Sequence, residues 1–390
     1  MGHRRRVLQI FPVIVILFWF AQYVYIPYQT IYLASVGATG GMIGAVVGAY
    51  GISQMILRLP AGICADRSGR HRPFMITGTA AAGAASLFRV CWCDGYGFMA
   101  ANLLSGFASA TWISFMVFYT GSFHEKEKQK ATSRIVMFNN LGMLLGFIVS
   151  TLCYHRMGMR KLCFLSILAG WAACVLTFFL REEKAEKGVV PVSRSLWICR
   201  EKRLLMFSMI ALIQQGIQLT APMSFTNQIL KGCGASDRII GISSIIYMVS
   251  AVGFSALASS AVCERKGPPF WIPAVLAAIA VYCMSVPATG SILGILCLQI
   301  LPGMATGILF SYATAEAMKG IPKEKGSTAM GFYQAAYAVG MTIFPVVTGS
   351  IVAEKGMQAG YRTLAGIALA GSIVAKVFYR SHRLYEKKGS

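Results

Sequence analysis

The chain has 390 residues, 56% of them hydrophobic and only 13% charged, with a net charge of +22. A soluble domain has roughly a quarter of its residues charged, so this composition excludes one. Apolar runs of membrane-spanning length recur twelve times, near 7–33, 42–64, 73–93, 97–119, 134–154, 161–180, 204–230, 238–262, 268–288, 291–317, 327–353 and 361–379. The expected fold is an all-α membrane protein. The first run is too long, and too poor in a small-residue cleavage site, for a removable signal peptide. The longest polar stretch, 182–203, reads as a linker between residues 1–181 and 204–390.

The positive charge is unevenly distributed. With the N-terminus inside, 27 of the 36 Lys and Arg fall in cytoplasmic segments and 7 in outer loops. That asymmetry is the positive-inside signal; it predicts both termini in the cytoplasm of a cell membrane and basic residues resting on lipid headgroups, not nucleic acid. Eleven cysteines show no metal-type spacing. Cys174, Cys283 and Cys297 act as small apolar residues, and nothing in the spacing of Cys91, Cys93, Cys153 and Cys233 supports a particular disulfide.

In chain order, Gln22, Tyr25, Gln29 and Tyr32 form one polar stripe of the first run, bordered by Tyr28, at spacings of three and four. Such a stripe should face a cavity or another helix, because lipid wastes its hydrogen-bonding groups. Arg58 lies eight residues before Asp66, about 12 Å of helix rise from the membrane face. It either snorkels to headgroups or faces the cavity and binds an anionic group. Next comes a charged hinge, Gly62-Ile-Cys-Ala-Asp66-Arg67-Ser-Gly69-Arg70-His71-Arg72. Gly62 permits close helix approach, and Asp66 lies one turn further on the same face. Arg67, Arg70 and Arg72 read either as gate residues or as membrane anchors. Arg89, near an outer helix end, is expected to snorkel. Trp112, Phe115 and Tyr119 form an aromatic stripe, either packing or cavity lining, with Tyr247 similar.

The second half resembles the first at nearly constant displacement. Asp66, Arg67 and Gly69 recur as Glu264, Arg265 and Gly267, each 198 positions on. Ser133, Phe138, Asn140 and Gly146 recur as Ser327, Phe332, Gln334 and Gly340 at 194, and Pro27 as Pro222 at 195. Gly106-Phe-Ala-Ser-Ala110 returns as Gly303-Met-Ala-Thr-Gly307 at 197. Two six-helix halves of the same orientation follow, an arrangement that binds its ligand near midplane between them. Gln214, Gln215 and Gln218 hold the place in the seventh run that the polar stripe holds in the first. Asn139 and Asn140 answer to Tyr333 and Gln334, with Tyr337 one turn on. Together these form a ring of amides and phenols, read as substrate contacts or as helix–helix bonds.

With twelve spans, a 6+6 repeat, a central linker and Gly62-x-x-x-Asp66-Arg67-x-Gly69-Arg70-x-Arg72, the chain resembles the major facilitator superfamily over essentially its whole length. The resemblance implies twelve transmembrane helices in two pseudo-symmetric six-helix bundles and transport by alternating access. Helices 1, 4, 7 and 10 would line the cavity, 2, 5, 8 and 11 flank it, and 3, 6, 9 and 12 face lipid. It implies that Asp66 meets the start of helix 11 near Gly326-Ser327-Thr328, and that Glu316 faces Arg265, unless Glu316 is a plain helix-end charge. The family's drug–proton antiporters carry an arginine in helix 4 where this chain has Asn102, and their helix 5 glycine-proline signature is reduced to Gly142-x-x-x-Gly146; both departures argue against that activity. No acid lies near the middle of a helix, and all five histidines are terminal or in loops, so no titratable group marks a coupling site and no intramembrane catalytic set exists. The leading expectation is a monomeric secondary transporter of a small polar organic solute, with proton or sodium as the candidate coupling ion and no cofactor, metal or enzymatic activity. The alternatives are export or flipping of a lipophilic drug or lipid and, outside transport, a membrane sensor on the same scaffold.

Overall fold

A computed structural model describes residues 2–38, 40–182 and 197–388; most of the expected linker, 183–196, lies outside the described residues. Among these there is no strand. Eleven apolar helical segments have spanning length, and the longest, Glu125–Phe178, is broken at Gly158. Gly158 has φ 72° and ψ 171°, a left-handed backbone that only glycine adopts cheaply. The segment therefore reverses there, and the chain makes twelve spans.

In chain order these are α1 (Gly2–Tyr23, continued by Ile26–Ser35), α2 (Gly40–Ser68), α3 (Arg72–Cys91) and α4 (Gly95–Ala110 and Trp112–Gly121). Helices α5 and α6 are the parts of Lys128–Phe178 before and after Gly158. The second half holds α7 (Lys202–Thr220, with a π turn and Thr226–Gly232), α8 (Asp237–Ala258), α9 (Pro268–Ser285), α10 (Ile292 to Met318, in pieces), α11 (Gly326–Lys355) and α12 (Met357–Lys388). Twelve spans return both ends to one membrane side, here termed the terminal face.

Within the first half, α1 packs on α5, α2 on α4 and α3 on α6; α7 on α11, α8 on α10 and α9 on α12 match them in the second. The halves meet along α2 with α11 and α5 with α8. Glycines set the close approaches. A Cβ on Gly142 would sit 2.5 Å from the Ile16 carbonyl oxygen of α1, and one on Gly340 2.3 Å from that of Leu212 on α7.

The internal repeat reappears as repeated contacts. Tyr50 OH bonds Ser109 Oγ at 2.7 Å, and Tyr247 OH bonds Thr306 Oγ1 at 2.7 Å, 197 positions later at both partners. Ser53 Oγ donates to the Leu103 carbonyl and Ser250 Oγ to that of Ile300, at the same displacement. The two bundles are thus pseudo-symmetric in their bonds as well as in their helix order.

Helices α1, α4, α7 and α10 are all interrupted within the membrane. Pro27 removes the N–H that Tyr23 would accept from, and Pro222 falls in the π turn Ala221–Phe225. Pro302 adjoins the break after Leu298, and a π turn follows at Ala305–Leu309. In α4, Thr111 turns its hydroxyl back to the Ala108 carbonyl. Freed backbone of this kind survives at membrane depth only inside protein or beside a cavity.

Candidate functional site: a cavity between the halves and the gate beneath it

The cavity has about 510 Å³ of empty space, counting the part that opens to solvent. Its wall draws on α1 (Trp19, Tyr23), α2 (Tyr50, Gln54, Arg58), α4 (Trp112), α5 (Asn139, Asn140, Met143), α7 (Gln215, Gln218), α10 (Thr306, Phe310) and α11 (Tyr337, Met341). Nothing from α3, α6, α9 or α12 reaches it. Among the described residues in the wall, Arg58 is the one that carries a charge. Its Nη1 donates to the Gln334 carbonyl at 2.9 Å, its Nη2 to Gln54 Oε1, and its Cζ lies 4.5 Å from the Tyr337 ring centroid. Arg58 therefore faces the cavity instead of snorkelling.

Of the candidates from sequence, Arg58, Trp112, Asn139, Asn140, Gln215, Gln218 and Tyr337 come together in this wall. Gln22, Tyr25, Gln29, Tyr247, Tyr333 and Gln334 do not line it. Gln22 Nε2 donates to the Ser105 carbonyl and to Ser109 Oγ, both 3.0 Å, inside the first half. Tyr25 meets Arg89, and Gln29 is buried. Tyr247 is satisfied by Thr306, and Tyr333 accepts from Thr314 Oγ1 at 3.0 Å. The cavity face of α1 is instead Trp19 and Tyr23, one turn apart. The periodicity was visible, but Gln22 and Tyr25 hydrogen-bond within their own bundle, whereas Trp19 and Tyr23 pack their rings on Trp112 and Phe147 and border the cavity. Tyr50, Gln54, Met143, Thr306, Phe310 and Met341 were also missed; Gln54 and Arg58, one turn apart, were the available signal.

Arg89 requires a correction: it does not snorkel. It is 1% exposed, and its Nη1 donates to Ser86 Oγ at 3.0 Å. Its Nη2 reaches Tyr25 OH (2.9 Å), Asn102 Oδ1 (2.7 Å) and Ser105 Oγ (3.0 Å). Its Cζ lies 3.7 Å from the Tyr25 ring centroid. Four neutral oxygens and a π face outcompete the headgroups because α1, α3 and α4 converge on them.

At the terminal face Asp66 reaches across the halves. Its Oδ1 accepts from the Ser327 N–H at 2.8 Å, and its Oδ2 from the N–H and Oγ1 of Thr328, both at 2.6 Å. A carboxylate of α2 thus caps the first turn of α11, whose unpaired N–H groups and dipole favour negative charge. A Cβ on Gly62 would lie 2.3 Å from the Ser327 carbonyl oxygen, and one on Gly331 2.8 Å from that of Arg58. No side chain larger than hydrogen fits this crossing.

The rest of the hinge serves its own half. Gly69 turns the chain at φ 61°. Arg72 Nη2 donates to the Phe178 carbonyl at 2.6 Å, and the Glu182 carboxylate accepts the backbone N–H groups of His71 (2.5 Å) and Arg72 (2.8 Å). Burial, opposed by Glu182 and Asp66, holds the His71 imidazole below its usual range. Arg67 and Arg70 are exposed.

In the second hinge Glu264 pairs with Lys130 of α5 at 3.0 Å, Gly267 turns at φ 65°, and Arg265 is exposed. Glu316 does not meet Arg265. It pairs with Arg203 Nη2 and accepts from Tyr379 OH at 3.0 Å, tying α7, α10 and α12 together. Among the described residues no group of acids, histidines and cysteines could hold a metal ion, and the cysteines are free.

The sequence profile of the Major Facilitator Superfamily matches residues 13–328 and again 205–389. The chain belongs to that superfamily. It is 23% identical over 367 residues to the inner membrane transport protein YajR of Escherichia coli (strain K12), covering 90% of this chain and 77% of that protein. Its fold is similar to the crystal structure of the human organic anion transporter MFSD10 (TETRAN), with a TM-score of 0.81, 13% identity, and coverage of 95% of this chain and 99% of that one. The protein is a multi-pass membrane transporter of the superfamily, with small molecules and membrane lipids as its partners.

Proposed function

We propose that this superfamily member is a secondary transporter of a small polar organic solute, moved by alternating access between halves divided in the 182–203 linker. One observation carries the reading: uncharged amides and phenols of both halves (Gln54, Asn139, Asn140, Gln215, Gln218, Tyr50, Tyr337) surround a single guanidinium, Arg58, in the cavity wall. Polar groups facing a cavity from both halves suit a solute that each half must hold in turn. The positive-inside asymmetry supports the terminal face as the cytoplasmic one, which makes the Asp66–α11 contact a cytoplasmic gate in its shut state.

The working unit is a monomer in a cell membrane and not an enzyme. A proton or sodium ion remains the candidate coupling ion, although the cavity wall offers no carboxylate to carry either. Trp19, Trp112, Met143, Phe310 and Met341 in the same wall support the second reading, a lipophilic cargo.

A thermal-shift screen of metabolites on detergent-purified protein, followed by flux of the hits in proteoliposomes, tests the proposal. Flux of a polar hit that falls in Gln215→Ala and Gln218→Ala supports it. Stabilisation by lipids or amphiphiles alone, with no polar hit transported, overturns it in favour of the second reading.

A further inference from the structure

Arg58 is 2% exposed, yet every group that faces it is neutral: the Gln54 side-chain oxygen, the Gln334 carbonyl and the Tyr337 ring. None of the lining residues is an acid. A buried cation without a counter-ion carries a large desolvation cost, and such groups at membrane depth mark substrate or ion pathways. Two buried donors in the wall also have no partner, Arg58 Nε and Trp19 Nε1. A buried donor is normally paired; Arg89 Nε, away from the cavity, is also without a partner, so the absence of any acid around Arg58 carries more weight than these two atoms. Around the cavity are Trp19, Tyr23, Tyr50, Trp112, Phe310 and Tyr337, whose ring faces suit a planar group.

We infer that the missing negative charge arrives with the cargo: the cavity takes an aromatic organic anion, a carboxylate or sulfonate on a planar ring, with its charged group on Arg58. This rests on the transport reading above and names its substrate class.

The same guanidinium is also a bond between the halves, from α2 to the Gln334 carbonyl of α11. A carboxylate engages an arginine through two parallel charge-assisted bonds, stronger than those to neutral oxygens. An anion on Arg58 therefore competes with Gln334 for the guanidinium and withdraws a tie between α2 and α11 on the cavity side of the Gly62–Ser327 crossing. Asp66 is left to hold the gate, so the cargo loosens the barrier that it must cross.

The test titrates detergent-purified wild type, Arg58→Gln and Arg58→Lys with isosteric pairs: benzoate against benzamide, and naphthalene-2-sulfonate against naphthalene-2-sulfonamide. Binding is read by calorimetry, fold by thermal melting, and the gate by hydrogen–deuterium exchange in peptides covering 326–335. An anion should bind wild type about tenfold or more tightly than its neutral partner. Arg58→Gln should abolish that preference and Arg58→Lys keep part of it, with cooperative melting in all three. Exchange at 326–335 should rise on anion binding in wild type alone.

If neither anion binds wild type better than its neutral partner, or Arg58→Gln keeps the preference, the anion inference falls. Unchanged or slowed exchange at 326–335 in an anion-bound wild type removes the latch. Should Arg58→Gln melt non-cooperatively, loss of the preference in a folded Arg58→Lys still counts for Arg58, and an undiminished preference there counts against it. Undiminished flux of a neutral solute through Arg58→Gln proteoliposomes overturns the inference and leaves the transport reading standing, whereas absence of flux for every solute in wild type sinks that reading itself.

Discussion

Arg58 and Arg89 are alike in residue type and burial, at 2% and 1% exposure, and among the described residues neither has an acid beside it. Their surroundings differ. Arg89 is closed in by Ser86, Tyr25, Asn102 and Ser105, all of its own half. Arg58 borders an open cavity and spends one of its bonds on the other half. The charge on Arg89 is dissolved in fixed dipoles, so it serves architecture. The charge on Arg58 meets fewer dipoles and lies in the cavity wall. The second half sharpens the contrast: Gln299 stands 197 positions after Asn102, and there it accepts from the neutral Tyr282 and donates to Ser243. The same polar knot forms without any cation, so the charge on Arg89 is one solution among others.

The largest expected effect comes from Arg89→Leu. It strands several buried polar partners, each at about 1–3 kcal/mol, and should abolish folded, monodisperse protein on size-exclusion chromatography. Arg89→Lys should rescue the fold only in part, because an ammonium lacks the planar fork that reaches Ser86, Asn102 and Ser105 together. Equal melting temperatures for Arg89→Leu and wild type would erase the distinction drawn here.

Arg58→Gln should behave in the opposite way. Loss of a buried charged contact costs about 2–5 kcal/mol of binding, so solute flux in proteoliposomes should drop by roughly thirtyfold or more while the melting temperature holds. A matched fall in melting would return Arg58 to a structural role.

The two hinges extend the comparison to smaller effects. Asp66 is half-buried and caps a helix, while Glu264 meets Lys130 with 53% and 40% of their side-chain surfaces exposed. Asp66→Asn keeps a hydrogen-bonding group but removes the charge from the α11 start, about 1 kcal/mol. Flux should slow roughly fivefold with insertion unchanged, and wild-type rates would refute the gate. Glu264→Gln should cost about 0.5 kcal/mol, roughly a factor of two in rate, and the difference should vanish at about 1 M salt. A Glu264 effect as large as that of Asp66 would mean that the hinges are equal after all.

Much of this was legible in the residues. The twelve spans follow from apolar runs, and close backbone approaches between helices fall at Gly62, Gly142 and Gly340. The site was legible only in part. Seven of its wall residues could be named from spacing, but spacing left open whether Gln22, Tyr25 and Gln29 face the cavity or another helix. In the folded bundle Gln22 and Tyr25 find Ser105, Ser109 and Arg89 nearby, and the hydrogen bonds of a helix say nothing about which face its neighbours offer partners to. The partner of Glu316 was misplaced for the same reason: Arg203 and Tyr379 come from helices far away in sequence.

What the sequence determined by itself was everything set by local transfer from water: the number of spans, the charge asymmetry between the two membrane sides, the repeat, and the hinge with its small residue and its acid. Each depends on a residue and its near neighbours along one helix. Only the tertiary structure decided which buried polar group was already satisfied and which was left facing open space. That depends on helices α3, α4 and α11, tens to hundreds of residues away, and it is the difference between Arg89, which holds a bundle together, and Arg58, which faces the cavity.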